Sequence, residues 1–533
     1  MKNYLSYNIE KRIAQLIFPR LNVNQFEEKR EYYRNLAELG VGGFCIFNGN
    51  MEKMREIVAY LDNYSEIPLL YCCDMENGMG MRFEEATIFP RAMAQGNTNN
   101  PGNAYITSKI TSLEAKSCGI FWNLAPVVDI NINPNNPIIN LRAYSDNPIV
   151  VSEFSKAYID AANSERVISC IKHFPGHGDT DVDSHINVPI LNKSIESLTQ
   201  NELIPFFSAI KNGVPSIMVG HLAVQSIDDS CLPASLSEKI INKFLKEKLK
   251  YDGIIITDAL EMQSVEKQYP NGEATFLALK AGADVLLMPE DPEIAYKYII
   301  SNINKIDLKA IETSFDKIID NKRKCGLLDG ILNHLPTSID IEEHRLLALN
   351  MAKSTIKITP KDKIEDCKLE DEDSFLLISI LLDDRNLEKA IVFMKLLQSK
   401  TINNCDSMFI NNEIDGSAVQ LLTESEQNHN KVLIAIYQSP SSYSLKKALS
   451  QELINIINNL TINKFSIILN FAPENASNLL NYQIKIDTFS DDYNSMNAVA
   501  DLISGNDEEY NFVSNIKEAK KQRKKLEKEN LKN

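Results

Sequence analysis

The feature that most constrains the fold of this chain is an alternation of short apolar runs and longer amphipathic stretches over its first 330 residues. The apolar runs are Val41–Phe47, Leu69–Asp74, Phe121–Asp129, Val167–Phe174, Ser216–His221, Gly253–Asp258 and Ala283–Met288. Each run has the length of a strand and is almost continuously apolar, as expected of strands covered on both faces. The stretches between the runs, such as Gln25–Leu39 and Ser237–Leu249, have helical spacing. Seven or eight such units predict an α/β chain with a TIM-like (β/α)8 barrel, and a doubly wound open sheet is the structural alternative.

The regular alternation of apolar runs and helical stretches ends after this part of the chain. A chain of 533 residues is also too long for a single hydrophobic core. We predict a catalytic TIM-like barrel over residues 1–333 and a linker with a connecting helix over residues 334–373. A smaller C-terminal α/β sandwich domain over residues 374–515 is expected from three further apolar runs, Ser374–Leu382, Val432–Tyr437 and Phe465–Phe471. Residues 516–533 form a basic tail, expected to be solvated, with a contact to a polyanion or membrane surface as the alternative.

Composition and charge argue against several kinds of partner, cellular location and bound group. The formal net charge of −16 argues against nucleic acid binding by the body of the protein. The N-terminal residues lack the apolar core of a signal peptide, and no apolar run is long enough to span a bilayer. The nine cysteines are scattered without the pairing of a disulfide framework or a zinc site. We therefore expect a cytoplasmic protein without a membrane span, a bound metal or another cofactor.

Polar side chains collect at the carboxyl ends of the predicted strands. These residues are Asp74, Asp129, His173, His221 and Asp258. A (β/α)8 barrel builds its active site at this end of the strands. Because every strand must end in something polar, the pattern predicts the place of a site and not its chemistry.

The densest chemical signal is the loop KHFPGHGDTDVDSH, which begins at Lys172 and ends at His185. One interpretation is a metal site built from His173, His177 and His185 with Asp179, Asp181 or Asp183. The proline and two glycines of the loop argue against it, because they break the helical spacing that such sites often use. A second interpretation is a structural loop whose side chains cap backbone groups. The third is a catalytic pair, in which Asp183 orients the imidazole of His185 and leaves its other nitrogen free to exchange a proton.

Two further carboxylates could carry chemistry. Asp258 ends the apolar run GIIITD, where a carboxylate is neutralised, pairs with a cation or serves as a nucleophile. Its structural alternative is the N-cap of a following helix. Arg82, Arg142 and Lys172 are cations that the fold could bring near it. Asp74, in YCCDMENGMGMRF, could bind sugar hydroxyls together with an arginine, or could belong to a plain surface loop.

At these residues the sequence resembles glycoside hydrolase family 3, and within it the bacterial β-N-acetylglucosaminidase branch. KHFPGHGDTDVDSH is similar to that branch's signature almost letter for letter, IIITDALEM to the nucleophile strand, and DMENGMGMRF to the segment that grips the sugar. Met75, Asn77 and Met79 depart from the usual residues of the last segment, and Gly220 stands where alanine is usual. Further segments follow in the family's order across residues 10–330, namely TIFPRAMAQG, NLAPVVDIN, INLRAYSDNP and IMVGHLAVQSIDDSCLPASLS. A weaker likeness in LALNMAKSTIKI and FSDDYNSMNAVADLISG indicates the two-domain form of the family.

The resemblance implies a role for each residue. It makes Asp258 the nucleophile and His185 the general acid/base, held by Asp183. It implies substrate contacts from Asp74, Arg82, Arg142, Lys172, His173 and Met218. The implied function is a retaining, exo-acting β-N-acetylglucosaminidase that releases terminal β-linked GlcNAc from muropeptides or chitin-type oligosaccharides. A β-N-acetylglucosaminide phosphorylase or a β-glucosidase of the same family is the enzymatic alternative, and a silent sugar-binding protein is the non-enzymatic one.

Overall fold

The structure is a computed structural model that describes residues 7–134, 136–180, 184, 187–329, 339–370, 372–401, 404–412, 414, 416–439 and 448–505. The strands are β1 (Ile17–Phe18), β2 (Arg20–Asn22), β3 (Gly43–Phe47), β4 (Leu70–Cys73), β5 (Ile120–Asn123), β6 (Ile168–Phe174), β7 (Ile190–Leu191), β8 (Ser216–Val219), β9 (Ala223–Val224), β10 (Ile254–Thr257), β11 (Leu286–Leu287), β12 (Lys357–Thr359), β13 (Ser374–Leu381), β14 (Asn404–Asn411), β15 (Lys431–Tyr437), β16 (Phe465–Phe471) and β17 (Ile484–Asp487).

Most of the helices lie between successive strands in the sequence. They are α1 (Ile9–Ala14), α2 (Arg30–Leu39), α3 (Met51–Asp62), α4 (Ala92–Asn97), α5 (Gly102–Ser117), α6 (Pro148–Ser164), α7 (Ile195–Gln200), α8 (Ile204–Lys211), α9 (Gln263–Glu266), α10 (Glu273–Ala281), α11 (Pro292–Ser301), α12 (Leu308–Lys324), α13 (Ile341–Thr355), α14 (Leu387–Lys400), α15 (Gly416–Gln427), α16 (Gln451–Leu460) and α17 (Tyr493–Ser504), with a π-helical segment at Lys239–Lys248. Two compact units result, one from Met1–Thr87 with Asn99–Ile341 and the other from Ile88–Thr98 with Glu342–Asn533.

The first unit is a closed parallel barrel. Seven of its strands form one sheet in the order β10-β8-β6-β5-β4-β3-β2. The sheet closes through β11, which pairs in parallel with β1 and is joined to β10 by a bridge between Ile256 and Val285. Because β1 and β2 are consecutive segments on either side of Pro19, the last strand returns to the first. The predicted TIM-like barrel is confirmed, and closure excludes a doubly wound open sheet for this unit.

Most observed strands are shorter than the apolar runs that predicted them, and two differences are larger. The segment that contains β1 and β2, Ile17–Asn22, is not among the predicted strands because Pro19 and Arg20 interrupt its apolar residues. The run Phe121–Asp129 is a strand only over Ile120–Asn123, and in its remainder Val127 forms an isolated parallel bridge with Lys172.

Local sequence sets several helix boundaries. The side chain of Asn50 accepts a hydrogen bond from the Lys53 N–H and caps α3, and Asn147 with Pro148 begins α6. Helix α2 ends at Gly40, whose φ of 92° is left-handed. Inside the barrel the indole of Trp122 donates to Ser216 Oγ at 3.0 Å and meets the ring of Phe18 edge to face. The packed interior leaves the loops at the carboxyl ends of the strands to form a site.

The second unit is a mixed sheet with helices on both faces. The sheet order is β12-β17-β16-β15-β13-β14, parallel except for the edge strand β12. One apolar cluster on α14 and α17 covers one face, and another on α15 and α16 covers the other. The predicted α/β sandwich is confirmed. The additional strands β14 and β17 were not predicted because polar residues interrupt their apolar sequence, NCDSMFIN in β14 and IKID in β17.

The segment Ile88–Thr98 belongs to the second unit although it lies between two barrel strands in sequence. The Arg91 N–H donates to Ser490 Oγ at 2.9 Å, and the Arg91 side chain pairs with buried Asp491. Asn494 Nδ2 donates to the carbonyl of Ile88 at 2.7 Å. Across the described ranges of both units, no helix has the length and apolar character needed to cross a bilayer.

Candidate active site

Four of the predicted sugar-contacting side chains meet at the carboxyl ends of the barrel strands. Asp74 directly follows β4, and Lys172 is within β6. Lys172 Nζ donates to Asp74 Oδ1 at 2.8 Å, and Arg82 Nη2 donates to Asp74 Oδ2 at 3.3 Å. The lysine is almost wholly buried, whereas the aspartate keeps about a quarter of its side chain exposed (24%). This aspartate is therefore held by two cations while one edge of it remains accessible from the mouth.

Glu76 joins this cluster and was absent from the predicted site. It receives two hydrogen bonds from Arg142, Nε to Oε2 at 2.9 Å and Nη2 to Oε1 at 2.6 Å, and Lys172 Nζ lies 2.9 Å from Oε1. A bidentate guanidinium–carboxylate pair fixes the orientation of both groups. Glu76 could have been predicted from its position two residues after Asp74 in a loop rich in glycine. Glu76 thus links Arg142 to the other members of the cluster.

The neighbouring charges keep Asp74, Glu76 and Lys172 ionised. Burial would raise the pKa of Asp74, but Lys172 and then Arg82 outweigh it, so the pKa lies below its usual range. In the same way, burial opposes ionisation of Glu76 while Arg142 and Lys172 hold its pKa well below the ordinary value. Burial would lower the pKa of Lys172, but the two carboxylates raise it. All three groups are therefore charged at neutral pH and offer donors and acceptors of fixed sign.

A second layer of hydrogen bonds holds the start of the Asp74 loop. Asn123, at the end of β5, accepts from the Met75 N–H at 3.2 Å and donates to the Met75 carbonyl at 3.3 Å. The Tyr158 hydroxyl donates to that carbonyl at 3.1 Å and accepts from Asn123 Nδ2 at 2.8 Å. Because both side chains are buried, the backbone between Asp74 and Glu76 is anchored to the barrel.

A separate buried network surrounds His173. Its Nδ1 lies 2.7 Å from Asp129 Oδ2, and the other oxygen of Asp129 accepts from the His177 N–H at 2.7 Å. Burial would raise the pKa of Asp129, but His173 lowers it below the usual range. Burial lowers the pKa of His177 to about 4, so this imidazole is neutral at physiological pH. Asp129 therefore fixes both His173 and the first turn of the following loop.

The base of that loop is held by packing and by an ion pair. A Cβ on Gly178 would lie 1.7 Å from the carbonyl oxygen of Ile130, so only glycine fits there. Lys193 Nζ lies 2.5 Å from Asp179 Oδ2 and also pairs with buried Glu202. The proposed acid/base residues Asp183 and His185, like Asp181, lie outside the described residues.

Asp258 follows the last residue of β10 at the barrel mouth. Its N–H donates to the Val219 carbonyl at 2.9 Å, and its Oδ1 accepts from the Ala259 N–H at 2.8 Å. No regular helix begins at Asp258, since the next one, α9, starts at Gln263 with Met262 as its N-cap. The carboxylate is close enough to raise the pKa of His177. Its place at the strand end is therefore not explained by capping of a regular helix.

Two other predicted residues have contrasting environments. Both ring nitrogens of buried His221 are hydrogen-bonded, Nδ1 to Ser235 Oγ at 2.6 Å and Nε2 to the Ala259 carbonyl at 2.9 Å, which indicates a structural role. Met218 is 2% exposed within β8, opposite Ile256.

A Cβ on Gly220 would lie 3.1 Å from the Cβ of His173, so glycine at this position leaves room for the His173 side chain.

This arrangement combines ionised carboxylates, fixed cations and neutral imidazole around one mouth. Such a set can orient hydroxyl groups by paired hydrogen bonds and can place a carboxylate against an electrophilic carbon. Within the described part of the chain, no three side chains of the metal-binding types are arranged to hold a metal ion. The fold and the position of these groups define an enzyme of the (β/α)8-barrel type.

Comparison with known proteins identifies the family. The model of the glycosyl hydrolase family 3 N-terminal domain matches residues 8–320. The chain is 30% identical over 404 residues to beta-hexosaminidase A of Pseudoalteromonas piscicida, covering 69% of this chain and 67% of that protein. It is 25% identical to a beta-N-acetylglucosaminidase/beta-glucosidase of Cellulomonas fimi, covering 61% of this chain and 60% of that one. A solved family 3 beta-N-acetylglucosaminidase from Paenibacillus sp. str. FPU-7 has the same fold, with a TM-score of 0.81, 24% identity and coverage of 94% and 97% of the two chains.

The chain belongs to glycosyl hydrolase family 3. The family match covers all the barrel strands, from β1 to β11, and therefore includes each of the predicted site residues. The protein is accordingly a glycoside hydrolase.

Proposed function

We propose that this protein is a retaining, exo-acting β-N-acetylglucosaminidase that releases terminal β-linked GlcNAc. The observation that carries the proposal is one charged cluster at the barrel mouth, formed by Asp74, Glu76, Arg82, Arg142 and Lys172. Asp258 follows its strand at the same end of the barrel. A sugar ring presents several hydroxyl groups on its edge, and a cluster of fixed donors and acceptors matches such an edge. Relatives named beta-hexosaminidase support the choice of an N-acetylated sugar.

The sugar is oriented by the groups of this cluster that keep hydrogen-bonding capacity. Asp74 is ionised and partly exposed, so it accepts hydroxyl hydrogens. The Arg82 side chain keeps 22% of its surface exposed, so its guanidinium can donate to a substrate oxygen. Lys172 is held by two carboxylates beneath the site and fixes their positions. The binding energy of the sugar thus places its anomeric carbon for attack.

Asp258 attacks the anomeric carbon and forms a glycosyl-enzyme intermediate. His185, as imidazolium, donates its proton to the leaving oxygen, and Asp183 stabilises the charged ring. Neutral His185 then removes a proton from water, which attacks the anomeric carbon and releases the sugar with its configuration retained. The assignment of these two residues rests on the sequence signature, since neither is within the described ranges.

Comparison of aryl β-GlcNAc with aryl β-glucoside tests the substrate. We expect kcat/KM for the N-acetylated substrate to exceed that for the glucoside, with muropeptides or chitin-type oligosaccharides as the natural substrates. Equal or better turnover of the glucoside would refute the assignment. A reaction in phosphate buffer tests the acceptor, because a hydrolase releases free GlcNAc there, whereas formation of GlcNAc 1-phosphate would show a phosphorylase.

A further inference from the structure

Phe47, the last residue of β3, carries two arginine side chains on its ring. The guanidinium carbon of Arg82 lies 4.7 Å from the ring centroid, and that of Arg20 lies 3.9 Å from it. Both distances are within the range of cation–π attraction. The ring is therefore in direct contact with one of the arginines of the charged cluster.

The backbone around Phe47 holds the same arginine. The Gly49 N–H donates to the Arg82 carbonyl at 3.0 Å, and Gly49 forms a parallel bridge with Phe83. A Cβ on Gly49 would lie 2.3 Å from the Cβ of Val23, so this segment passes close to the residue that directly follows β2. The end of β3 thus fixes both the main chain and the side chain of Arg82.

The ring is needed because the other contact of the guanidinium is a weak anchor. Arg82 Nη2 reaches Asp74 at 3.3 Å, which is long for a charge-assisted hydrogen bond. Its Nε is buried, and no described atom accepts its hydrogen. A guanidinium held at one nitrogen can rotate, whereas contact with an aromatic face restricts its plane.

Arg20 extends this contact to the loop after β10. It pairs with Glu261, three residues beyond Asp258, and the Glu261 N–H donates to the Met288 carbonyl at 2.9 Å. Phe47 therefore lies between the arginine of the sugar-gripping segment and an ion pair on the segment that carries Asp258.

We propose that Phe47 is a positioning residue that orients the guanidinium of Arg82 toward the bound sugar. The role rests on the proposed function, because the orientation matters only if Arg82 contacts the substrate. Phe47 touches no reacting atom and acts through Arg82. Its loss should therefore raise KM for the sugar more than it lowers kcat.

The test compares Phe47→Leu, which keeps an apolar side chain without a π face, with Phe47→Tyr, which keeps the face. We expect Phe47→Leu to lower kcat/KM for aryl β-GlcNAc roughly 5- to 30-fold, from the range of cation–π energies. Phe47→Tyr should restore activity to within about twofold of the wild type, since its ring has a similar π face. In an Arg82→Ala background, Phe47→Leu should cause no further loss, because the interaction it removes is already absent.

Tyr60→Leu is the matched control, because Arg30 lies 4.2 Å from the Tyr60 ring on helices remote from the barrel mouth. It should leave kcat/KM unchanged. An unchanged kcat/KM in Phe47→Leu, or an additive loss in the Arg82→Ala background, would overturn the role of Phe47.

An NMR measurement separates this proposal from the proposed function. The Arg82 Nε–H signal of ¹⁵N-arginine-labelled protein should move or broaden in Phe47→Leu and stay in place in Tyr60→Leu. A wild type that neither binds nor hydrolyses GlcNAc substrates would overturn the proposed function. An unmoved Arg82 signal would overturn the positioning role even if the enzyme is a β-N-acetylglucosaminidase.

Discussion

Glu76 offers a sharp test of the charged cluster, because one substitution changes its charge with almost no change of shape. In Glu76→Gln, the oxygen that faces Arg142 Nη2 and Lys172 Nζ can be kept, but an amide NH₂ replaces the oxygen that accepts from Arg142 Nε. Two donors then face each other at a contact of 2.9 Å. At least one charge-assisted hydrogen bond is lost, and two buried cations lose part of their neutralisation.

The size of the effect follows from the burial of the partners. Only 12% of the Glu76 side chain is exposed and 2% of that of Lys172, so solvent screens the loss weakly. A hydrogen bond to a charged group contributes about 1.5–3 kcal/mol, and unpairing a buried charge adds to it. We therefore expect Glu76→Gln to lower the free energy of unfolding by about 2–4 kcal/mol. Because Arg142 and Lys172 also lose their fixed positions, kcat/KM should fall by roughly one to two orders of magnitude.

Urea unfolding and steady-state kinetics on aryl β-GlcNAc measure these two quantities. Glu247→Gln is the matched control, since Glu247 pairs with Lys243 on the surface with more than half of each side chain exposed (58% and 62%). It should change stability by less than about 0.5 kcal/mol and leave kinetics unchanged. If Glu76→Gln behaves like the control in both measurements, Glu76 does not hold Arg142 and Lys172 in place.

Two further predictions concern a buried lysine and the acid/base residue. Lys322 is fully buried, donates to Gln15 Oε1 at 2.8 Å, and has a pKa lowered by burial to about 7. The unfolded lysine binds a proton near pH 10.5 and the folded one only near pH 7, so the folded state becomes less stable as the pH falls from 10 to 7. Relative to Lys322→Met, the free energy of unfolding of the wild type, measured in urea, should fall by about 2–4 kcal/mol over that interval. His185→Ala should slow substrates with poor leaving groups far more than activated aryl substrates, because only the former need protonation of the leaving oxygen, and a series of aryl β-GlcNAc substrates measures this dependence.

These two predictions have distinct contrary outcomes. Parallel pH profiles of stability for wild type and Lys322→Met would show that the folded lysine keeps its ordinary pKa. Equal losses for good and poor leaving groups in His185→Ala would remove the acid/base assignment from this residue.

Much of the barrel is predictable from sequence because strands buried on both faces must be apolar along their whole length. The exception is Ile17–Asn22, where Pro19 and exposed Arg20 break the apolar run although the segment completes the barrel. Strand β14 escaped for a related reason, since it lies at an edge of the sheet and carries polar side chains. Periodicity reports burial, so strands that are partly exposed give a weak signal.

The candidate site was predictable in its position and only partly in its contacts. Asp74 and Lys172 are 98 residues apart in sequence, and their 2.8 Å contact depends on the parallel pairing of β4, β5 and β6 in one sheet. Glu76 lies inside DMENGMGMRF and Phe47 lies in no quoted motif. The role of each residue appears only from its contact with Arg142 or Arg82. Long-range contacts of this kind depend on the packing of the whole barrel, which local spacing does not encode.

The central claim is that Asp258 is the nucleophile of a retaining reaction, and trapping the glycosyl-enzyme intermediate tests it most directly. A fluorinated GlcNAc donor with a good leaving group slows the second step, so the covalent adduct should accumulate and be located by mass spectrometry of proteolytic fragments. We predict one adduct, on the peptide that contains Asp258 and at that carboxylate. An adduct on another residue, or a first-formed sugar of inverted anomeric configuration, would contradict the account.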